Sequence, residues 1–166
     1  MGREIRMVPP NWEHPKQDNG HYEPMFDEDF DTALNEWIEG YELWKKGEHP
    51  EQQEEECNYP FWEWMGGPPN PDSYRPAFTE DPTWYQTYEN VSEGTPVTPP
   101  FATKEELIEY LVEHGTFWDV RRVADGRQDR VGWDRKAAEQ FVKAEYAPSG
   151  MIVGGTCYSP RDGFPT

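Results

Sequence analysis

Histidine is the side chain best suited to ligate a metal or move protons near neutral pH, and this chain has four: His14, His21, His49 and His114. None has a histidine partner at i+4, and none sits in a His-Glu-x-x-His or Cys-x-x-Cys setting. A zinc site would have to be assembled from His14, His21 and His49 in separate acidic loops, so hydrogen-bonding or solvent-facing roles are the simpler expectation. There is no Gly-x-Ser-x-Gly elbow for a nucleophile, no phosphate-binding loop and no Gly-x-Gly-x-x-Gly after a strand. The run Asp27-Glu28-Asp29-Phe30-Asp31 imitates a calcium ligand series, but it lacks the central glycine, and the twelfth position is Ile38 rather than glutamate. With 33 acidic residues, choosing two as general acid and base would be arbitrary. The expectation is no catalytic residue, no metal and no cofactor.

Two stretches have the residue types of a binding surface. In the first, Glu51 to Tyr74, Trp62 and Trp64 flank Glu63 and follow the run Glu54-Glu55-Glu56. Aromatics beside carboxylates suit a basic protein surface, the rings giving contact area and the acids complementarity. Core packing of the same rings is the competing reading. The second is the basic segment Arg121-Arg122 to Arg127, Arg130, Arg135 and Lys136. It suits either pairing with the protein's own acids or, together with the rings of Trp84, Tyr85 and Trp118, a nucleotide-like ligand held by stacking and guanidinium contacts.

The formal charge is −18, and its distribution says more than its sum. Glu13 to Glu113 holds 25 acidic and 5 basic residues, a net −20, while the segments on either side carry +1 each. Such a field repels nucleic acid and anionic lipid and attracts basic surfaces with a salt-dependent on-rate. Direct nucleic-acid binding is therefore not expected. A solvated surface that keeps the chain soluble is the plainer reading of the same charge.

The elements that must position these groups read as α+β, in one domain over residues 1–166. Hydrophobic residues make up 34% of the chain and aromatics 15%, so large rings must do the work of aliphatic side chains in the core. Glu4 to Val8 alternates as a short strand stopped by Pro9-Pro10. Phe30, Leu34, Trp37, Ile38, Tyr41 and Trp44 mark one face of a helix, with aspartates at its start, Lys45 and Lys46 at its end, and Gly47 as the stop. An acidic, Pro- and aromatic-rich loop follows at about 48–82, either strapped down by its rings or a flexible insertion. Thr83 to Val91 reads as the central strand. Thr103 and Glu106 open a helix closed by Gly115. Another runs from Asp134 to Tyr146 around Ala138, Phe141 and Val142, and Met151 to Val153 forms a last strand before a Gly154-Gly155 turn. The expected result is about three helices packed on a small, mainly antiparallel sheet with long Pro-rich loops. Cys57 and Cys157 read as two buried or inert thiols. No apolar run reaches 18 residues and Met1–Pro10 lacks the core of a signal peptide, so no membrane span or secretion is expected.

The segments Arg6-Met7-Val8-Pro9-Pro10-Asn11-Trp12-Glu13-His14-Pro15, Tyr88 through Ser92-Glu93-Gly94-Thr95-Pro96-Val97, and Ala147-Pro148-Ser149 together resemble small acidic proteins encoded by tailed bacteriophages and prophages. That group has no established active site, so no functional residue carries over. The resemblance implies a phage accessory product acting in the cytoplasm of the bacterial host. Joined to the charge, it leads to a protein that binds and inhibits a host protein with a basic surface. The expected target is a defence component, as in anti-CRISPR or anti-restriction proteins, and acidic mimicry of nucleic acid is one way to block it. The contact surface would be Asp31, Asn35, Glu36, Glu39 and Glu42 on the helix, the Glu54, Glu55 and Glu56 run, and Trp62 and Trp64. Two alternatives stand beside it: the small-molecule binder built on Trp84, Tyr85, Trp118, Arg121 and Arg122, and a virion or head-assembly component. The sequence leaves the oligomeric state open.

Overall fold

A computed structural model of the chain describes residues 2–54, 58–91 and 93–165; Glu55, Glu56, Cys57 and Ser92 lie outside them. The fold is α+β. Its contacts divide it into two compact units, residues 1–24 with 78–166, and residues 25–77.

In the first unit, β1 (Gly2–Val8) pairs antiparallel with β4 (Trp84–Glu89), from Arg3 opposite Glu89 to Val8 opposite Trp84. The outer strands β5 (Thr95–Pro96) and β6 (Tyr146–Pro148) complete an antiparallel sheet of order β5-β4-β1-β6. Successive strand side chains take opposite faces. Ile5 and Tyr85 therefore lie on one face, packed against a core of Leu107, Leu111, Trp133, Ala138, Phe141, Val142 and Ala147. Those residues come mainly from α4 (Lys104–His114) and α6 (Arg135–Ala144). The Thr103/Glu106 capping box that opens α4 is formed on both sides, and Gly115 ends the helix at φ 64°, where an added Cβ would meet the Val131 carbonyl. Asp134 occupies the N-cap position of α6, but its carboxylate takes Arg130 at 3.0 Å rather than the helix N–H groups.

Between them lies α5 (Phe117–Ala124), an element the sequence reading does not anticipate; it begins with a second capping box, Thr116 with Asp119. Asp119 is 1% exposed and is held by four donors: the Thr116 N–H at 2.9 Å, the Thr116 hydroxyl at 2.7 Å, the Trp133 indole N–H at 2.9 Å and the Gln128 amide at 3.2 Å. Burial pushes its pKa up, but these bonds, with the nearby Arg3 guanidinium, outweigh burial and hold the carboxyl below its ordinary value. Arg3 is itself buried, over the Trp133 ring at 5.6 Å. After α6 and β6 the chain forms a separate hairpin, β7 (Met151–Val153) with β8 (Thr156–Tyr158), turning on Gly154 and Gly155. Cys157 on this hairpin is exposed, which removes the buried half of the expectation of a buried or inert thiol.

The second unit is built around α1 (Phe30–Lys46). Asp29 caps it by accepting from the Thr32 N–H at 3.0 Å, and Gly47 ends it in the left-handed region at φ 74°. The short strand β2 (Phe26–Asp29) leads into it and pairs with β3 (Tyr74–Arg75). Among its described residues, the Pro-rich stretch between α1 and β3 holds brief elements: α2 (Pro50–Glu54), α3 (Phe61–Trp64) and one 3₁₀ turn at Pro71–Ser73. Rings hold these pieces together. Phe61 is 3% exposed and lies 5.2 to 6.2 Å from the rings of Trp37, Tyr41, Trp44 and His49. The indole N–H groups of Trp37 and Trp44 donate to the carbonyls of Gly66 and Tyr59, both at 3.1 Å, fastening the loop to the helix.

Candidate functional site

With 3.6 residues per turn, Asp31, Asn35, Glu39 and Glu42 fall within an arc of about 80° on α1, and Glu36 lies just beside it. All five are exposed, as is Glu54 at the end of α2; Glu55 and Glu56 lie outside the described residues. Opposite this arc Ala33 and Trp44 are buried, so the ring core fixes which way the acids face. Ile38, which the periodicity assigns to the apolar stripe, lies at its margin and is 43% exposed.

Residues 25–77 hold 14 acidic and 3 basic residues, a net charge of −11. Lys45 pairs with Glu42 at 2.9 Å and Arg75 with Asp27 at 3.5 Å. The carboxylates crowd one another. Burial, the Glu36 charge and the Asp29 charge all push the Glu28 pKa upward, and burial followed by Glu28 and Glu36 does the same to the Tyr74 phenol. Asp29 moves the other way, because the Thr32 N–H and hydroxyl stabilise its charged form. Four arginines of the C-terminal third take acidic partners: Arg127 with Asp125, Arg130 with Asp134 and Asp162, Arg135 with Glu109, and Arg161 with Asp129.

The unit also carries exposed rings, away from the acidic arc of α1 and next to Glu51 and Glu63. Trp62 is 58% exposed and Trp64 40%, although both belong to the short helix whose Phe61 is buried. Core packing, the alternative for these rings, is met by Phe61 and not by Trp62.

The second group of candidate residues is spread over the first unit. Trp84 and Tyr85 leave β4 on opposite faces, Tyr85 against the core with the Lys104 ammonium 5.7 Å from its ring centre. Trp118 and Arg121 do meet on α5, the guanidinium 5.5 Å from the indole centre, and the Arg122 charge, after burial, helps to push the Arg3 pKa down.

A feature the sequence does not announce lies on the other face of the sheet. Glu4 and Arg6 face Tyr88 and Gln86 across the β1–β4 pair. Arg6 lies over the Tyr88 ring at 4.4 Å and donates to Glu4 Oε1 at 2.7 Å. Above them the loop carrying Trp12, His14 and Tyr22, together with Pro99, Pro100 and Phe117, encloses a cleft of about 520 Å³. His14 is 6% exposed; its Nε2–H donates to the Glu23 carbonyl at 2.6 Å, which leaves Nδ1 facing the Tyr88 hydroxyl at 3.2 Å. Tyr88 also reaches Gln86 Oε1 at 3.1 Å, so its one proton serves two acceptors. Burial lowers the His14 pKa, partly countered by the Glu23 bond and reinforced by the Arg6 charge. The signal in the sequence was the polar half of the β1 alternation, Glu4 and Arg6, which reads as solvent-facing until a loop covers it.

Among the described residues no three His, Cys, Asp or Glu side chains gather as metal ligands, and no helix is long and apolar enough to cross a membrane. Comparison with family models, curated proteins and solved structures finds no match to the chain.

Proposed function

We propose that this chain is a phage-encoded accessory protein that acts by binding, presenting the acidic surface of residues 25–77, with its exposed rings, to a basic surface of a host protein. Blocking a defence component that holds nucleic acid in a basic groove is the consequence, with carboxylates standing where phosphates would lie. One observation carries this reading: a net charge of −11 in the smaller unit, with Asp31, Glu36, Glu39, Glu42 and Glu54 directed outward by a core of rings. Carboxylates on such a face steer a cationic partner over roughly a Debye length, about 8 Å at physiological salt, so association must slow as salt rises.

The test is affinity capture from the bacterial host at low and high salt, with wild type beside the triple variant Glu36→Lys, Glu39→Lys, Glu42→Lys. The captured protein is then challenged with duplex DNA. Salt-sensitive capture that DNA competes away, and that the triple variant loses, supports the reading. Capture that survives charge reversal and high salt discards it.

The cleft beneath Trp12, Tyr22 and Phe117 favours a second reading, a small-molecule binder, because its volume and aromatic lining are those of a ligand site. It differs from the site expected on Trp84, Tyr85, Trp118, Arg121 and Arg122. A thermal shift with a nucleotide panel, unaffected by the charge-reversal variant, would favour it.

A further inference from the structure

We propose that Tyr59 and Trp64, with the Glu51 carboxylate, form a site that reads arginine, so that the partner's contact residues are arginines rather than lysines. This rests on the acidic-face reading above and specifies the chemistry of its partner.

Large rings are costly to leave in water, and single exposed ones need no explanation. Here three occur within six residues: Tyr59 is 61% exposed, Trp62 58% and Trp64 40%. Their placement is held from beneath. Phe61 is locked in the ring core between them, and the Trp44 indole N–H takes the Tyr59 carbonyl. Tyr59 and Trp64 stack at 6.1 Å with their planes 16° apart, so both offer flat faces in nearly the same orientation. Glu51 Oε2 accepts from the Trp64 indole N–H at 2.7 Å, which orients the ring and sets a carboxylate at its edge.

A flat ring with a carboxylate beside it suits a guanidinium. The planar, weakly hydrated group can lie on the ring while an N–H at its edge donates to the carboxylate; an ammonium is compact, strongly hydrated and cannot stack. The chain uses this arrangement within its own fold. Arg6 lies over the Tyr88 ring at 4.4 Å and donates through Nε to Glu4 at 2.7 Å. At Tyr59–Trp64 the ring and the carboxylate are in place, and the charge of −11 on the unit supplies the complementarity that draws in the cation.

The experiment titrates the full chain with octa-arginine and octa-lysine peptides of equal charge at matched ionic strength, following tryptophan emission and heat. Octa-arginine should bind about tenfold more tightly, the equivalent of one well-placed stacked guanidinium. Tyr59→Leu with Trp64→Leu should abolish the preference while leaving octa-lysine binding in place, and Glu51→Gln should reduce it with the rings intact. Equal affinity for the two peptides in the wild type overturns the arginine site and leaves the acidic face standing. Binding of neither peptide at low salt overturns the acidic face and the arginine site together. A preference that persists in the double leucine variant also overturns the site.

Discussion

Replacing Asp119 with alanine tests how the first unit is held together. The carboxylate is 1% exposed, and its loss would leave the Thr116 N–H, the Thr116 hydroxyl and the Trp133 indole N–H without this acceptor, beside the buried Arg3 charge. Arg3 Nε has no hydrogen-bond partner, and Glu89 is the other acid whose charge supports the guanidinium. Removing one member of a buried charged network costs about 3–5 kcal/mol, because the remaining charge stays buried with less compensation. At roughly 2–4 °C per kcal/mol for a chain of this size, the melting temperature should fall by about 6–20 °C. Asp119→Asn keeps the shape and one acceptor oxygen, and should cost about 2 kcal/mol, the weight of the charge and its assisted bonds. Urea unfolding followed by circular dichroism measures both. The pH dependence follows from the depressed pKa. The wild-type advantage should be complete above the unfolded aspartate value of about 3.9 and shrink as pH falls through the lower folded value. A loss under about 1 kcal/mol for Asp119→Ala, or a gap to Asp119→Asn that is unchanged between pH 5 and pH 3, refutes the assignment.

His14 has a folded pKa below that of the unfolded chain, so its contribution is present above about pH 6.5 and is lost as pH falls through the folded value. Urea midpoints from pH 7.5 to 5 should decline in the wild type and stay flatter in His14→Gln; parallel curves would show that His14 does not titrate as described. Gly115→Ala must hold a Cβ at φ 64° against the Val131 carbonyl, and should cost at least about 2 kcal/mol in urea unfolding. Phe61→Ala empties the centre of the second unit's rings and should cost about 3–5 kcal/mol, with a matching loss of near-ultraviolet dichroism. Charge reversal at Glu36, Glu39 and Glu42 should flatten the salt dependence of binding while leaving urea stability within about 0.5 kcal/mol per site, since exposed charges contribute little to folding.

What was legible in the sequence was local. The α1 helix could be read because its own residues state where it begins, which side is wet and where it stops, from Asp29 to Gly47. The Thr103/Glu106 box and the interior strand around Trp84–Glu89 were equally self-contained. The α5 helix was not, although Thr116 and Asp119 spell a capping box, because eight residues with two arginines are too short for a period to emerge. β6 goes unread, with its first residue Tyr146 taken as the helix end, since only pairing with Gly2 to Glu4, far away in sequence, turns Tyr146–Pro148 into a strand. The site divides in the same way. The outward acids and Trp62 and Trp64 were visible from composition and spacing. The cleft over Gln86 and Tyr88 was not, because it exists only when residues 12–22 fold across a strand some seventy residues later.

The eight tryptophans divide four and four: Trp12, Trp84, Trp118 and Trp133 in the first unit, Trp37, Trp44, Trp62 and Trp64 in the second. Each unit therefore carries its own light-emitting probes, and in the second two of them stand among the carboxylates. Iodide, being an anion, will be thinned out near Trp62 and Trp64, whereas caesium will be enriched. The ratio of their quenching constants reads the local potential at the indoles, and a docked cationic peptide would bring that ratio back toward the value for neutral acrylamide.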